Sequence, residues 1–374
     1  MELIAVLEPE ECPQKAIWYT LVPKGENPGV RVGHTLTVAL HSSGKGKVII
    51  VGGANPNGSF SDAHILELDT LEWNIPEWEG LLPRYEHCTF IPANRSDNLW
   101  LFGGADQCGN RNCVQVLNFE TGAWRSPAVS GTPPTPRTFH SSTAAIGDCL
   151  YVFGGGDKGA EPVQDTQLHV FDTTSLSWSQ PSTEGKSPTP RHGHVMVAVG
   201  SKLFVHGGLA GVKFLNDMYS LNTVTMKWEK LKVKGDVPAG CAAHSSVSLG
   251  KYIYIFGGMD TTGALNSMYK YHIERRCWML LKFDSSLPPR SLDHAMCVLP
   301  WKVRTEAASR PCETIKNDKD TAKGEVAEES LRPDQHCKSE RDTPTTVHVC
   351  LIFGGMDTGG EIYNDCYVTL LDDQ

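Results

Sequence analysis

The sequence predicts an all-β protein built from six copies of one unit. Gly-Gly pairs follow apolar runs such as VIIVGG and LYVFGG, and the first five pairs recur about 50 residues apart. A tryptophan lies downstream of each of these five pairs. The runs between these landmarks are short, β-branched and bounded by Gly, Pro and Asp, as strands are, and they lack the 3.6-residue periodicity of a helical solenoid. Four short antiparallel strands per unit predict a single six-bladed β-propeller.

An Arg-x-x-His sequence begins the first strand of a unit, as in RVGH at residues 31–34. Cys241 stands in place of the arginine in the fifth copy, and Arg290 is displaced by one residue in the sixth. The arginines are Arg31, Arg84, Arg137, Arg191 and Arg290, and the histidines are His34, His87, His140, His194, His244 and His294.

The Gly-Gly pair ends the second strand of each unit. Glycine tolerates a positive φ angle and lets neighbouring backbone approach closely, which suits a tight turn. The loops that follow vary in length and chemistry, which predicts an individual surface on a shared scaffold. The pairs are Gly52 and Gly53, Gly103 and Gly104, Gly154 and Gly155, Gly207 and Gly208, Gly257 and Gly258, and Gly354 and Gly355.

A third strand follows the loop, and a fourth strand carries the tryptophan, a large apolar side chain suited to packing between blades. These residues are Trp73, Trp124, Trp178, Trp228 and Trp278, but the last unit ends without one. Trp18, in the stretch AIWYTLV at 16–22, precedes the first unit. We therefore predict that the Trp18 strand completes the C-terminal blade, which closes the ring and covers an open sheet edge.

The chain divides into an N-terminal extension at 1–15 and the propeller at 16–374. The last blade contains an insertion at 302–345 that is dense in charges and poor in large apolar residues, a composition that predicts disorder. Strand direction places it on the face opposite the arginines. It is either a tolerated surface insertion, because long loops cost little entropy, or a regulated segment that binds a partner.

Composition limits the function classes. A net charge of −9 over 374 residues is unlike the basic surface of a nucleic-acid binder. The N-terminus lacks the basic region of a signal peptide, and no run of 18 apolar residues predicts a membrane span. We therefore expect a cytoplasmic protein whose twelve cysteines are reduced thiols.

The repeated arginines and histidines each have two interpretations. The arginines either hold blade to blade or form a basic ring for an anionic partner, which makes all five candidates for partner binding. The six histidines resemble a ligand set, but one residue per blade is most simply structural, and a metal site needs three or four converging donors.

Six agreeing units resemble the kelch family along nearly the whole chain. Within it, Glu161, Asp165 and His169 fit the E-xxx-D-xxx-H iron-binding pattern of the plant specifier proteins, which implies an Fe(II)-dependent enzyme. Asp165 also fills a loop position that recurs at Asp62, Asp217 and Asp365. Because no other catalytic motif is present, we predict no enzyme, no catalytic residue and no cofactor.

Several stretches, among them GLLPRYEH and SPTPRHGHVMVA, are similar to kelch-repeat effectors of Rab GTPases. This resemblance implies a non-enzymatic protein that binds a GTP-loaded late-endosomal Rab and supports endosome-to-trans-Golgi transport. We expect a monomer that associates peripherally with endosomal membranes. The alternative is a scaffold or adaptor for other proteins, such as ubiquitin-ligase substrates, although no BTB domain precedes the propeller.

Overall fold

The computed structural model describes residues 3–40, 46–138, 144–158, 161–304 and 345–372. Within these ranges the regular elements are all β-strands, and they form six blades that follow one another around a central axis. The all-β, six-bladed prediction is confirmed. Each blade is a four-stranded antiparallel sheet whose neighbouring strands are also neighbours in the chain, apart from the blade that joins the two termini.

The four strands of each blade have the following bounds. Blade one contains Thr35–Leu40, Gly46–Val51, Ala63–Glu67 and Glu72–Asn74, and blade two contains Tyr85–Phe90, Asn98–Asp106, Val114–Asn118 and Ala123–Arg125. Blade three contains Ala145–Ile146, Cys149–Val152, His169–Asp172 and Ser177–Ser179, and blade four contains Val195–Val199, Lys202–His206, Met218–Asn222 and Lys227–Lys230. Blade five contains Ser245–Leu249, Tyr252–Phe256, Met268–His272 and Cys277–Leu280, and blade six contains Ala295–Val303, Thr345–Phe353, Cys366–Leu370 and Trp18–Leu21.

Short strands decorate the blades. Hairpins or single strands follow the Gly-Gly pairs at Ala54–Asn55, Gly58–Ser59, Gly109–Asn110, Gly156–Lys158, Glu161–Pro162, Leu209–Ala210, Lys213–Phe214, Met259–Asp260 and Gly263–Ala264. The remaining strands, Ala5–Val6, Lys24–Gly25 and Lys234–Gly235, add to outer blade edges in parallel. The loops after Gly-Gly lie on one face of the propeller, which we call the glycine face.

The ring closes as the sequence predicts. The strand Trp18–Leu21 pairs antiparallel with Cys366–Leu370, in a register that sets Trp18 opposite Thr369. The Trp18 ring is fully buried and lies 5.4 Å from the ring of Phe256 in blade five. Blade six therefore takes three strands from the C-terminal part of the chain and its outermost strand from the N-terminal part.

The blades pack through one repeated aromatic contact. In every blade except the first, which has Val51, the aromatic residue before the Gly-Gly pair faces the tryptophan of the next blade, and the ring centroids of Phe102–Trp178, Phe153–Trp228 and Phe353–Trp73 lie 4.8, 5.4 and 5.8 Å apart. The same phenylalanine position meets the histidine of the next blade edge-on, as in Phe256 with His294 at 5.3 Å. Trp18 thus makes the contact that the other blade tryptophans make.

A second repeated contact seals the outer edge of blades one to five. The connection that leaves the tryptophan strand runs along the fourth strand of the following blade, and it carries a glycine at positive φ against a tryptophan carbonyl. A Cβ at Gly131 would lie 2.1 Å from the carbonyl oxygen of Trp178, and one at Gly235 would lie 2.2 Å from that of Trp278. Only glycine fits such a close approach.

The N-terminal extension packs on blade six. Ala5–Val6 pairs in parallel with the Trp18–Leu21 strand, and Leu7 is buried in the core shared by blades six and one. The indole Nε1 of Trp301 donates to the carbonyl oxygen of Glu11 at 2.8 Å. The boundary at residue 15 stays a prediction. Of the insertion, residues 305–344 lie outside the described residues.

Candidate functional site

Four of the five candidate arginines are buried. The exposed fraction is 1% for Arg31 and 0% for Arg84, Arg137 and Arg191. In Arg191, Nε donates to the carbonyl oxygen of Thr189 and Nη1 to that of Gly207 at 3.0 Å. Because the guanidinium N–H groups donate to acceptors in the same blade, this side chain holds the Gly-Gly turn in place. These four side chains therefore have a structural role within one blade rather than between blades, and their contact with a partner stays a prediction.

Three of the four buried arginines are balanced by an aspartate that follows the Gly-Gly pair. Nη1 of Arg191 lies 2.6 Å from Oδ1 of Asp217, and Arg31 and Arg137 pair with Asp62 and Asp165 in the same way. Burial alone would raise the pKa of Asp217, but the hydrogen bonds and charge of Arg191 outweigh it and hold that pKa below its usual range. The recurring aspartate is therefore an ion-pair partner, since a buried guanidinium needs compensation.

Blades two, five and six depart from this pairing. Arg84 donates to Oε1 of Gln115 at 2.7 Å instead of to an aspartate. In blade six, Ser291 fills the arginine position and its Oγ donates to the carbonyl oxygen of Gly354 at 3.3 Å. Arg290 is pushed outward and is exposed, 3.5 Å from the carbonyl oxygen of Ala264. Arg290 is therefore the one candidate arginine whose side chain reaches the glycine face.

The residues before the histidines form a ring around the axis that the sequence did not predict. Gly33, Glu86, Gly193, Ala243 and Asp293 all have φ between 54° and 63°. Backbone N–H groups donate from Glu86 to Gly33, Gly33 to Asp293, Asp293 to Ala243 and Ala243 to Gly193, at 2.6 to 3.1 Å. The only sequence signal is the small or short-chain residue at most of these positions. His140 and its neighbours lie outside the described residues.

This ring surrounds a cavity of about 120 Å³. Five of the repeated histidines line it, namely His34, His87, His194, His244 and His294. Burial lowers the pKa of His34 to about 3 and that of His294 to about 4, so these rings are neutral. Glu86 and Asp293 also line the cavity, and burial raises the pKa of Asp293 to about 7. The cavity is thus polar with little charge.

Glu161, Asp165 and His169 do not converge. Nε2 of His169 lies 2.5 Å from Oδ2 of Asp165, which also accepts from Arg137 at 3.3 Å. Glu161 is exposed and stands outside this group. Among the described residues, the one set of three or more His, Cys, Asp or Glu donors that converges is His206, Cys241 and His244. The three weak metal candidates therefore lack the geometry of a ligand set.

The glycine face carries exposed apolar side chains. Val30, Leu82, Val237 and Leu287 lie on the connections into the first strands and are 36 to 40% exposed. Val212, at the tip of the hairpin after the fourth Gly-Gly pair, is 96% exposed. Exposed apolar side chains contribute to a protein-binding surface where they lie together in one patch.

Comparisons with known proteins agree with this architecture. The family model described as "KLHDC2/KLHL20/DRC7 Kelch-repeats domain" matches residues 33–166 and 144–304. The chain belongs to the kelch-repeat family. Kelch blades account for the Gly-Gly turns, the buried arginines and the tryptophan contacts described above.

Within the kelch family the similarity to some curated proteins spans whole chains. The protein named "Rab9 effector protein with kelch motifs" from Homo sapiens is 58% identical, with all of both chains covered. Its counterpart from Xenopus laevis is 60% identical over 99% of this chain and all of the relative. The counterpart from Rattus norvegicus is 52% identical over the full length of both. In the described part of the chain, no helix has the length and apolar character needed to cross a membrane.

Proposed function

We propose that this kelch propeller is a non-enzymatic effector that binds a GTP-loaded late-endosomal Rab GTPase of the Rab9 type. The observation that supports this proposal is the similarity to Rab9 effector proteins with kelch motifs, which covers both chains from end to end. It includes the loops between the strands as well as the scaffold. We further propose that the chain works as a cytoplasmic monomer in endosome-to-trans-Golgi transport, in peripheral contact with the endosomal membrane through the Rab.

We place the partner on the glycine face. That face combines the exposed side chain of Arg290 with apolar groups that no core contact requires, such as Val212 and Leu287. Interfaces favour arginine and apolar anchors in this combination. Arg84 and Arg137 are buried, so replacing them with acidic residues would destabilise the fold. Such variants are therefore unsuitable for a test of partner binding.

The test is capture of small GTPases by the purified full chain. A panel of GTPases is loaded with a non-hydrolysable GTP analogue or with GDP, and we expect capture of a Rab9-type GTPase in the GTP form only. Failure to retain any GTPase in a nucleotide-dependent manner would contradict the effector proposal. Equal capture of a GTPase in its GTP-analogue and GDP forms would favour the adaptor alternative.

A matched pair of variants in blade four tests the face. Val212→Glu lies on the glycine face, and Val224→Glu lies in a turn on the opposite face, with exposed fractions of 96 and 78%. Both positions are too exposed to affect folding. We expect Val212→Glu to weaken GTPase capture about tenfold, as for loss of one anchor of about 1.4 kcal/mol, and Val224→Glu to leave it unchanged. The reverse result would move the interface to the opposite face.

A further inference from the structure

The junction between blades four and five departs from the repeat at three positions. His206 stands before the Gly-Gly pair, where blades two, three, five and six have phenylalanine. Cys241 stands where blades one to four have a buried arginine, and Ser267 stands where blade four has Asp217. The backbone confirms this last equivalence, because Gly207 donates to Asp217 and Gly257 donates to Ser267. At this one junction, cysteine and serine thus replace the arginine–aspartate pair, and histidine replaces the phenylalanine.

The exchange places three metal-ligating side chains side by side. His206, Cys241 and His244 each offer a ligand atom within 4.8 Å of the other two, and their exposed fractions are 1, 4 and 6%. Nδ1 of His206 lies 3.1 Å from Nε2 of His244, with the two rings perpendicular. Two imidazole nitrogens on one tetrahedral zinc ion stand about 3.3 Å apart, given Zn–N distances of about 2.0–2.1 Å.

The electrostatics of the junction also suit a cation. In blades one to four a buried guanidinium occupies the position of Cys241, and its charge would repel a metal ion. Blade five has no such charge, while the nearby Arg191 is neutralised by Asp217. A thiolate combined with imidazoles binds zinc and copper(I) in preference to harder cations such as magnesium and calcium.

We propose that His206, Cys241 and His244 bind a zinc ion that links blade four to blade five. The three side chains supply three ligands, and the adjoining axial cavity, which His244 also lines, supplies water as the fourth. Binding releases the thiol proton of Cys241. Since the ligands come from two blades, the ion stabilises the junction that in other blades is held by phenylalanine against histidine.

The alternative is a simple hydrogen bond between the two imidazoles. His206 also packs on Trp278 at 5.0 Å, as a phenylalanine would, so it has a packing role whether or not metal binds. The two interpretations differ in what Cys241 does. Only a metal site brings its sulfur into a bond.

Cobalt(II) titration of the full, untagged chain distinguishes them. Cobalt bound through a thiolate gives a sulfur-to-metal charge-transfer band in the near ultraviolet, and we expect one equivalent to produce it and one equivalent of zinc to remove it. His206→Phe, which restores the residue of the neighbouring blades, and Cys241→Ser should each abolish the band and the rise in melting temperature that zinc gives the parent chain. Cys88→Ala, which removes another buried thiol, is the control and should retain both.

Several results would overturn the proposal. The first is the absence of a charge-transfer band in the parent chain. The second is a band that persists in His206→Phe and Cys241→Ser. The second result would place binding elsewhere on the chain. Because His206→Phe introduces the residue that this position has in four other blades, a folding defect is not expected to obscure the outcome.

Discussion

At the scale of single residues, the same amino acid has opposite roles in neighbouring blades. Arg191 is enclosed and bonded to Thr189, Gly207 and Asp217, whereas Arg290 is exposed because Ser291 occupies the inner position. A shift of one residue in sequence therefore converts a structural arginine into a surface arginine.

Arg191→Ala tests the structural role. Its removal leaves Asp217 partly buried without a partner and frees the carbonyl of Gly207, so we expect the free energy of unfolding to fall by about 3–5 kcal/mol. Urea denaturation followed by tryptophan fluorescence measures the change. Arg290→Ala is the matched control and should stay within about 0.5 kcal/mol of the parent. Equal effects of the two substitutions would contradict the assignment.

At the scale of elements, the blade edges depend on a glycine that precedes a proline by three residues. The pattern G-x-x-P occurs at Gly25, Gly80, Gly131, Gly185 and Gly235, and each glycine has positive φ beside a tryptophan carbonyl oxygen. This contact covers the outermost strand of the next blade. Covered edges protect β-sheet proteins from pairing with other chains.

Comparing Gly131→Ala with Gly211→Ala should separate two contributions to stability, the steric contact of the added methyl group and the strain of a positive φ angle. A methyl group there meets the carbonyl of Trp178, whereas Gly211 has a similar positive φ with no heavy atom within 4 Å. We expect Gly211→Ala to cost about 1–2 kcal/mol through left-handed strain alone, and Gly131→Ala to cost clearly more. Urea midpoints of the two variants provide the comparison. If both were destabilised equally, the carbonyl contact would have no role beyond φ.

At the scale of the whole molecule, closure depends on contacts between residues far apart in the chain. Trp18 lies between Phe256 and Phe283, and its strand bonds to Cys366–Leu370. Thr369 adds a hydrogen bond from its Oγ1 to the carbonyl oxygen of Ile17 at 2.8 Å. The first and last segments of the chain therefore form a single blade.

Trp18→Ala tests whether closure matters energetically. Trp18 and Trp228 are both buried against a phenylalanine of the preceding blade, so each alanine variant should lose about 3–5 kcal/mol. Thermal melts and urea midpoints of the two variants are compared side by side. An unchanged melting temperature for Trp18→Ala, with a large loss for Trp228→Ala, would show that the stability of the ring does not depend on the Trp18 side chain.

The sequence by itself determined the repeat, the number of blades and the closing strand, because Gly-Gly turns and strand alternation are local properties that recur at a constant spacing. It also placed the insertion and suggested the family. Only the tertiary structure decided that Arg31, Arg84, Arg137 and Arg191 face inward, and that Glu161 stands apart from Asp165 and His169. It alone brought His206 beside Cys241 and His244. Burial and contact between blades depend on the curvature of the closed ring, and no short window of sequence contains that curvature.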